Sequence, residues 1–406
     1  MEALMLSPEP PYPLQGGGAF RTASLLHYFA RFGEVDLILL SESGSPALLP
    51  PGLVRTQQVI PLPPHRRGTI ARYFRNGSRA LWSVPPLTDR LAGLAVPIER
   101  AIAGRHYDFG IVEHSWCAPY IEQLKACCGR TVLDLHNVES VLHERSADVS
   151  HGLVRAGHRR FAAASRKLES ALFPLYSAVL ATSRQDASIV GSLAPAARVI
   201  VYPNSLPWVE TPHLSERPWV VFSANFEYHP NADAVEFLVK EIWPAVRRHD
   251  RGLRLRLVGR GDAFIRHLVP RGTPEQTGIE ITGNVEDARA EIAQARIVVA
   301  PLRAGSGTRI KILEAWAAAR PVIATPLAAE GLAVSNGINI ALAAGAGEFA
   351  AEIIRLLGNS SARESLGADG RRTFENHYSW DTVWKNLDIN LQLTHRTGIN
   401  GYTGSF

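Results

Sequence analysis

Short apolar runs alternate with longer segments of helical period along almost the whole chain. The first run, residues 4–7, ends in the turn-rich stretch Pro8-Glu9-Pro10-Pro11-Tyr12-Pro13. After Gly16-Gly17-Gly18, the apolar positions Leu25, Leu26, Phe29 and Phe32 share one helical face. Further strand-like runs lie at 35–40, 110–112, 131–135, 178–181 and 199–201. The pattern halts at Tyr202-Pro203-Asn204-Ser205-Leu206-Pro207, with more prolines at Pro212 and Pro218, a spacing through which helices and strands do not continue comfortably. It then restarts, with strands expected at 219–222, 253–258, 279–282, 297–300 and 321–324. A helix of good amphipathic period runs through Ala234, Phe237, Leu238, Ile242 and Val246. Strands alternating with helices imply crossover units and parallel sheets, so the fold class is α/β.

The length of 406 residues suits two such domains, and 46% apolar with 20% charged residues describes a folded rather than a disordered chain. The boundaries fall at 1–205 for a first Rossmann-like domain and 206–378 for a second. A C-terminal helix follows at 379–396, around Trp380 and Trp384, and then a loose Gly/Asn/Thr/Ser-rich tail at 397–406. No apolar run approaches the roughly 18 residues that span a bilayer. Proline and acid stand where a signal peptide needs a basic start, so a cytoplasmic chain is expected. Cys117, Cys127 and Cys128 have neither metal-ligand nor disulfide-framework spacing and read as structural filler.

The net charge of +5 is too mild for a broad nucleic-acid footprint. Two basic clusters stand out: Arg66, Arg67, Arg72, Arg75 and Arg79, then Arg155, His158, Arg159, Arg160, Arg166 and Lys167. They read as solvated helix faces, or as attraction to anionic lipid head groups at the inner face of a membrane or to a phosphorylated acceptor.

In open parallel sheets, ligands bind beyond the carboxyl ends of the strands. Gly17 and Gly18 occupy such a loop, where backbone amides at a helix start approach an anion. The stretch Pro301-Leu302-Arg303-Ala304-Gly305-Ser306-Gly307-Thr308-Arg309-Ile310-Lys311-Ile312-Leu313-Glu314-Ala315 joins a buried strand to a helix through small residues. Amides at that helix start, with Arg309 and Lys311 in its first turn, make a diphosphate cradle. Two cations there oppose the helix dipole, a conflict that an anionic ligand resolves. Glu314 is placed to accept hydrogen bonds from a ribose, or else to pair with Lys311 along the helix.

This stretch, continued by Trp316-Ala317-Ala318-Ala319-Arg320-Pro321-Val322-Ile323-Ala324-Thr325, resembles the donor-binding signature of family-4 glycosyltransferases of the GT-B fold. Pro11-Tyr12-Pro13 with the glycine triplet, Leu133-Asp134-Leu135-His136-Asn137-Val138-Glu139, Gly283-Asn284-Val285 and Glu330-Gly331-Leu332 follow in the family's order. The likeness is greatest to bacterial enzymes of exopolysaccharide and lipid-linked glycan synthesis. It implies two Rossmann-like domains facing a cleft, an N-terminal domain for the acceptor and a C-terminal one for the nucleotide sugar. It also implies a last helix that returns to the first domain. The implied reaction is hexosyl transfer from a nucleoside-diphosphate sugar, UDP as first guess, to a glycan, lipid-linked or small-molecule acceptor. Retention at the anomeric carbon and independence of metal or other cofactor go with it.

By the same resemblance, His136 is the catalytic histidine near the anomeric carbon, expected here as a neutral imidazole that hydrogen-bonds a sugar hydroxyl. Glu314 is the ribose-binding second glutamate of the signature. Ser306 stands at the first glutamate position, so the usual carboxylate contact to the donor sugar is missing. Asn225 stands where many members place an arginine against the diphosphate. Gly17, Gly18, Asn225, Val285, Ser306, Gly307, Thr308, Arg309, Lys311, Glu314 and Glu330 are thus the expected donor contacts. His114 is the expected acceptor contact. The sequence holds no Asp-x-Asp pair and no cluster of metal-ligand spacing. Two rival readings use the same architecture: a sugar-nucleotide epimerase, which needs acidic residues near the sugar, and a non-catalytic partner subunit.

Overall fold

The computed structural model describes residues 1–14, 16–42, 44–63, 68–148, 150–212, 214–285, 287–304 and 310–393. Ser306, Gly307, Thr308 and Arg309, the basic residues Arg66 and Arg67, and the 397–406 tail lie outside them. The chain divides into two compact units. The first comprises Met1–Ala181, Asp186–Tyr202 and Trp384–Phe406; the second comprises Thr182–Gln185 and Pro203–Val383.

The first unit is built on seven parallel strands: β1 (Glu2–Ser7), β2 (Glu34–Ser41), β3 (Thr56–Pro61), β4 (Tyr107–Glu113), β5 (Cys128–Asp134), β6 (Ala178–Ala181) and β7 (Val199–Val201). Their order across the sheet is β3-β2-β1-β4-β5-β6-β7. Crossover helices cover a parallel sheet on both faces, so its inner strands read as continuous apolar runs. Leu4, Met5, Leu6, Ile111, Val112, Val132 and Leu133 are all 1% exposed or less. β3 breaks that rule. It is the edge strand, its sequence TQQVIP buries only Ile60, and the apolar pattern passes over it.

The second unit repeats the plan with β8 (Trp219–Ser223), β9 (Arg254–Val258), β10 (Ile279–Gly283), β11 (Ile297–Ala300), β12 (Val322–Ala324) and the two-residue β13 (Ala341–Leu342). The order is β10-β9-β8-β11-β12-β13, again parallel throughout. The amphipathic helix after β8 runs from His229 to Phe237, through one π turn at Leu238–Ile242, and on as Trp243–His249. Pro244 has no N–H for the carbonyl of Lys240, which explains the local widening. The helices Ala346–Leu357, Ser360–His377 and Trp380–Leu391 complete the chain. From the last of them, the Trp384 indole donates to Ser24 Oγ at 3.1 Å, within the first unit. No helix among the described residues is long and apolar enough to cross a membrane.

Candidate active site

Strand order reverses in the first unit at β1 and β4, and the loops leaving their carboxyl ends diverge there. Three loops bring side chains to that point: Glu9 after β1, His114 directly after β4, and His136 two residues beyond β5. His136 Nε2 lies 2.7 Å from Glu113 Oε2 and 3.5 Å from Asp134 Oδ2. Both carboxylates are the last residues of their strands and are fully buried.

Asp134 is clamped by Arg21, whose Nε and Nη2 donate to its two oxygens at 2.7 and 2.5 Å. Arg21 also donates to the Tyr202 carbonyl at 2.7 Å, and Thr22 Oγ1 donates to Glu113 Oε2 at 3.0 Å. The His136 and His114 rings stack at 3.6 Å, and His114 stacks in turn on Trp116 at 4.3 Å. Glu9 Oε2 lies 3.7 Å from His114 Nε2. His114 has φ 66°, a conformation that costs a non-glycine residue on the order of 1–3 kcal/mol and tends to collect at functional sites.

These surroundings give the two stacked rings opposite characters. Burial alone lowers the His136 pKa, but hydrogen bonds to Asp134 and Glu113 and their charges outweigh it and raise the value to about 9. Burial and the nearby His136 charge push His114 down to about 4. Asp134 stays below the usual carboxylate range because Arg21 outweighs its burial, while burial and the charge of Asp134 push Glu113 up. His136 is therefore an imidazolium at neutral pH, not the neutral ring that sequence reading expects. Its Nε2 faces the carboxylates, which leaves Nδ1 toward the helix that starts at Gly17. There a Cβ on Gly18 would displace the Glu9 carboxylate and stand in ordinary contact, at 3.6 Å, with His136 Nδ1.

The sign of the pH effect follows. A histidine whose folded-state pKa exceeds the usual 6.5 stabilises the fold fully below that value and loses the contribution as pH rises through about 9. We expect the wild-type melting temperature to fall toward that of His136→Gln between pH 6.5 and 9.5, a stability difference of about 3 kcal/mol. Parallel melting curves across that window would refute the charged assignment.

Two trios, Glu9/His114/His136 and Glu113/Asp134/His136, hold ligand atoms within 4.8 Å of one another, close enough for a metal ion. Spacing along the sequence does not reveal them, because the first trio draws on three strand ends and the second on two. In the second trio both oxygens of Asp134 accept from Arg21, and the His136 imidazole would have to give up its proton to act as a ligand.

The second unit reverses its strand order at β8 and β11. Lys311, in the first turn of the helix Ile310–Ala317 that follows β11, donates to Asn231 Oδ1 at 2.8 Å. Its ammonium stands 4.7 Å over the Phe222 ring of β8. Asn231 Nδ2 in turn donates to the Asn225 carbonyl at 2.7 Å, and Asn225 Oδ1 accepts from the Glu227 amide at 3.1 Å. Asn231 thus ties the cation to the loop after β8, a link that sequence reading misses.

Glu314 lies one turn beyond Lys311. Burial pushes its carboxyl up to about 7, against the pull of Arg289 and Lys311. Val285 follows β10 and Glu330 the β12 loop, both half-buried. Gly331, at φ 81°, makes the turn after Glu330.

Comparison with known proteins bears on this second unit directly. Residues 217–359 match the family model described as Glycosyl transferases group 1. The match lies within the C-terminal unit. Lys311, Glu314 and Glu330 all lie inside that segment, and the whole chain has the GT-B fold. Sucrose-phosphate synthase from Thermosynechococcus elongatus superposes with a TM-score of 0.71 at 15% identity, covering 97% of this chain and 98% of that one. Anabaena Alr3699/HepE in complex with UDP-glucose gives 0.64 at 14%, covering 97% and 99%. WaaG, a glycosyltransferase involved in lipopolysaccharide biosynthesis, gives 0.63 at 13%, covering 95% and 99%. At such identities the likeness establishes the fold. No curated protein matches the sequence.

Proposed function

We propose that this protein is a retaining glycosyltransferase that moves a hexose from a nucleoside-diphosphate sugar, UDP-linked as first choice, to a glycan or lipid-linked acceptor. The observation that carries the reading is the group 1 segment, with Lys311 braced at the start of its helix and Glu314 one turn on. Lys311 meets the diphosphate, which leaves with the electron pair of its bond to the anomeric carbon. An acceptor oxygen forms the new bond to that carbon and gives up its proton to the departing diphosphate oxygen. Glu314 accepts from the ribose hydroxyls. In the N-terminal unit, His136 offers a charged hydrogen-bond donor to the transferred sugar, and His114 borders the acceptor. HepE, crystallised in complex with UDP-glucose, supports the donor class.

The reading includes metal independence, with the leaving charge stabilised by cations and helix dipole. We expect UDP to raise the melting temperature in the presence of a chelator, by about 2.7 kcal/mol of stability at 100 times its dissociation constant. A shift that appears only with added Mg²⁺ or Mn²⁺ would overturn that part of the proposal. An epimerase reading would draw on the buried pair Glu113/Asp134, and conversion of the donor to its epimer without acceptor would favour that reading instead.

A further inference from the structure

Over residues 74–81, the helix Thr69–Leu81 turns large apolar side chains outward and an arginine inward. Its arginine Arg79 is buried and paired with Asp89 at 2.8 Å. Phe74 and Leu81, seven residues apart and so on one face, are 79% and 68% exposed, and the adjoining Trp82 is 76% exposed. An ordinary amphipathic helix buries its large apolar residues and sends its charges outward. The helix Gly152–Leu172 continues the anomaly: Leu153 is 92% exposed, Val154 is 51% exposed, and Arg155, Arg159 and Arg160 are exposed beside them. The two helices meet, with Arg160 Nη1 donating to the Ala80 carbonyl at 3.4 Å. Within the two helices themselves the charge is one-sided, although Asp89 pairs with Arg79 and Glu144 with Arg166 from neighbouring elements. The first helix contains three arginines and no acid; the second has five basic residues against the single Glu169, which lies near its far end and is buried.

We propose that this face docks on an anionic lipid bilayer, with Phe74, Leu81, Trp82, Leu153 and Val154 in the head-group boundary and Arg155, Arg159 and Arg160 on the lipid phosphates. Large apolar side chains beside the exposed Arg155, Arg159 and Arg160 complement a surface that is apolar below and negative above. Tryptophan suits that boundary because its ring is apolar and its N–H is polar. The proposal stands apart from sugar transfer, since vesicle binding needs no donor or acceptor.

The test is co-sedimentation of the full chain with vesicles of pure phosphatidylcholine and with vesicles that also contain phosphatidylglycerol. Binding should be confined to the second kind and weaken with salt. Arg155→Gln with Arg159→Gln should lower the partition about 30-fold, since each basic residue near the surface contributes about fivefold. Phe74→Ser with Trp82→Ser should lower it about 100-fold. All four residues are exposed, so unchanged melting temperatures will show that the variants fold. Sedimentation with neither vesicle, equal sedimentation with both, or insensitivity to the two double variants would overturn the proposal. The first of these outcomes would turn the search to a protein partner.

Discussion

His136→Ala lowers sugar turnover by about 10²- to 10³-fold and leaves affinity for UDP nearly unchanged. Hydrogen bonds and charges that act on the reacting sugar count most in the transition state, and losing one costs about that much. The fold should tolerate the change. Asp134 keeps Arg21 on both oxygens. Glu113, already pushed up by burial, can take a proton once the imidazolium is gone. The proposed nucleotide contacts, Lys311 and Glu314, belong to the other unit. Turnover and UDP affinity should therefore separate. Loss of the imidazolium lowers the melting temperature near neutral pH in any case, so a variant that keeps most of its turnover would make His136 a structural residue.

Lys311→Ala should weaken UDP binding about 10- to 100-fold and barely affect uridine. A hydrogen bond to a charged group contributes about 1.5–3 kcal/mol, and uridine lacks the phosphates that would receive it. The side chain is already aimed, held by Asn231 and standing over Phe222, so little ordering opposes the contact. Isothermal titration with the two ligands reads the difference. Equal losses for both would mean that the substitution disturbs the helix Ile310–Ala317 rather than a phosphate contact.

The fold was legible wherever burial imposes a pattern. β1, β4, β5, β6 and β11 are covered on both faces and read as apolar runs. β3 escapes because an edge strand needs few apolar residues, and β13 because two residues carry no period. His114 and His136 were legible as residues after strand ends. Their carboxylate and arginine partners were not, because no local period announces a charge that is buried by pairing.

Two signals were nevertheless present. Arg21 lies on the same helical stripe as Leu25, Phe29 and Phe32, and Asp134 interrupts the apolar run Leu133-Asp134-Leu135. A charge on a core stripe and a charge inside a core strand are each costly alone, and together they predict each other. The protonation of His136 was beyond sequence reading. It depends on Glu113 from a different strand coming within 2.7 Å.

The central claim is that this GT-B chain transfers sugar, and UDP release from UDP-sugars tests it most directly. The wild-type protein, incubated with a panel of UDP-hexoses and simple glycan or lipid acceptors, should release UDP by transfer or slow hydrolysis. His136→Ala should suppress that release while still binding UDP. Tight UDP binding without transfer or hydrolysis of any donor, in a panel extended to GDP- and TDP-sugars, would contradict the account and leave a non-catalytic partner subunit in its place.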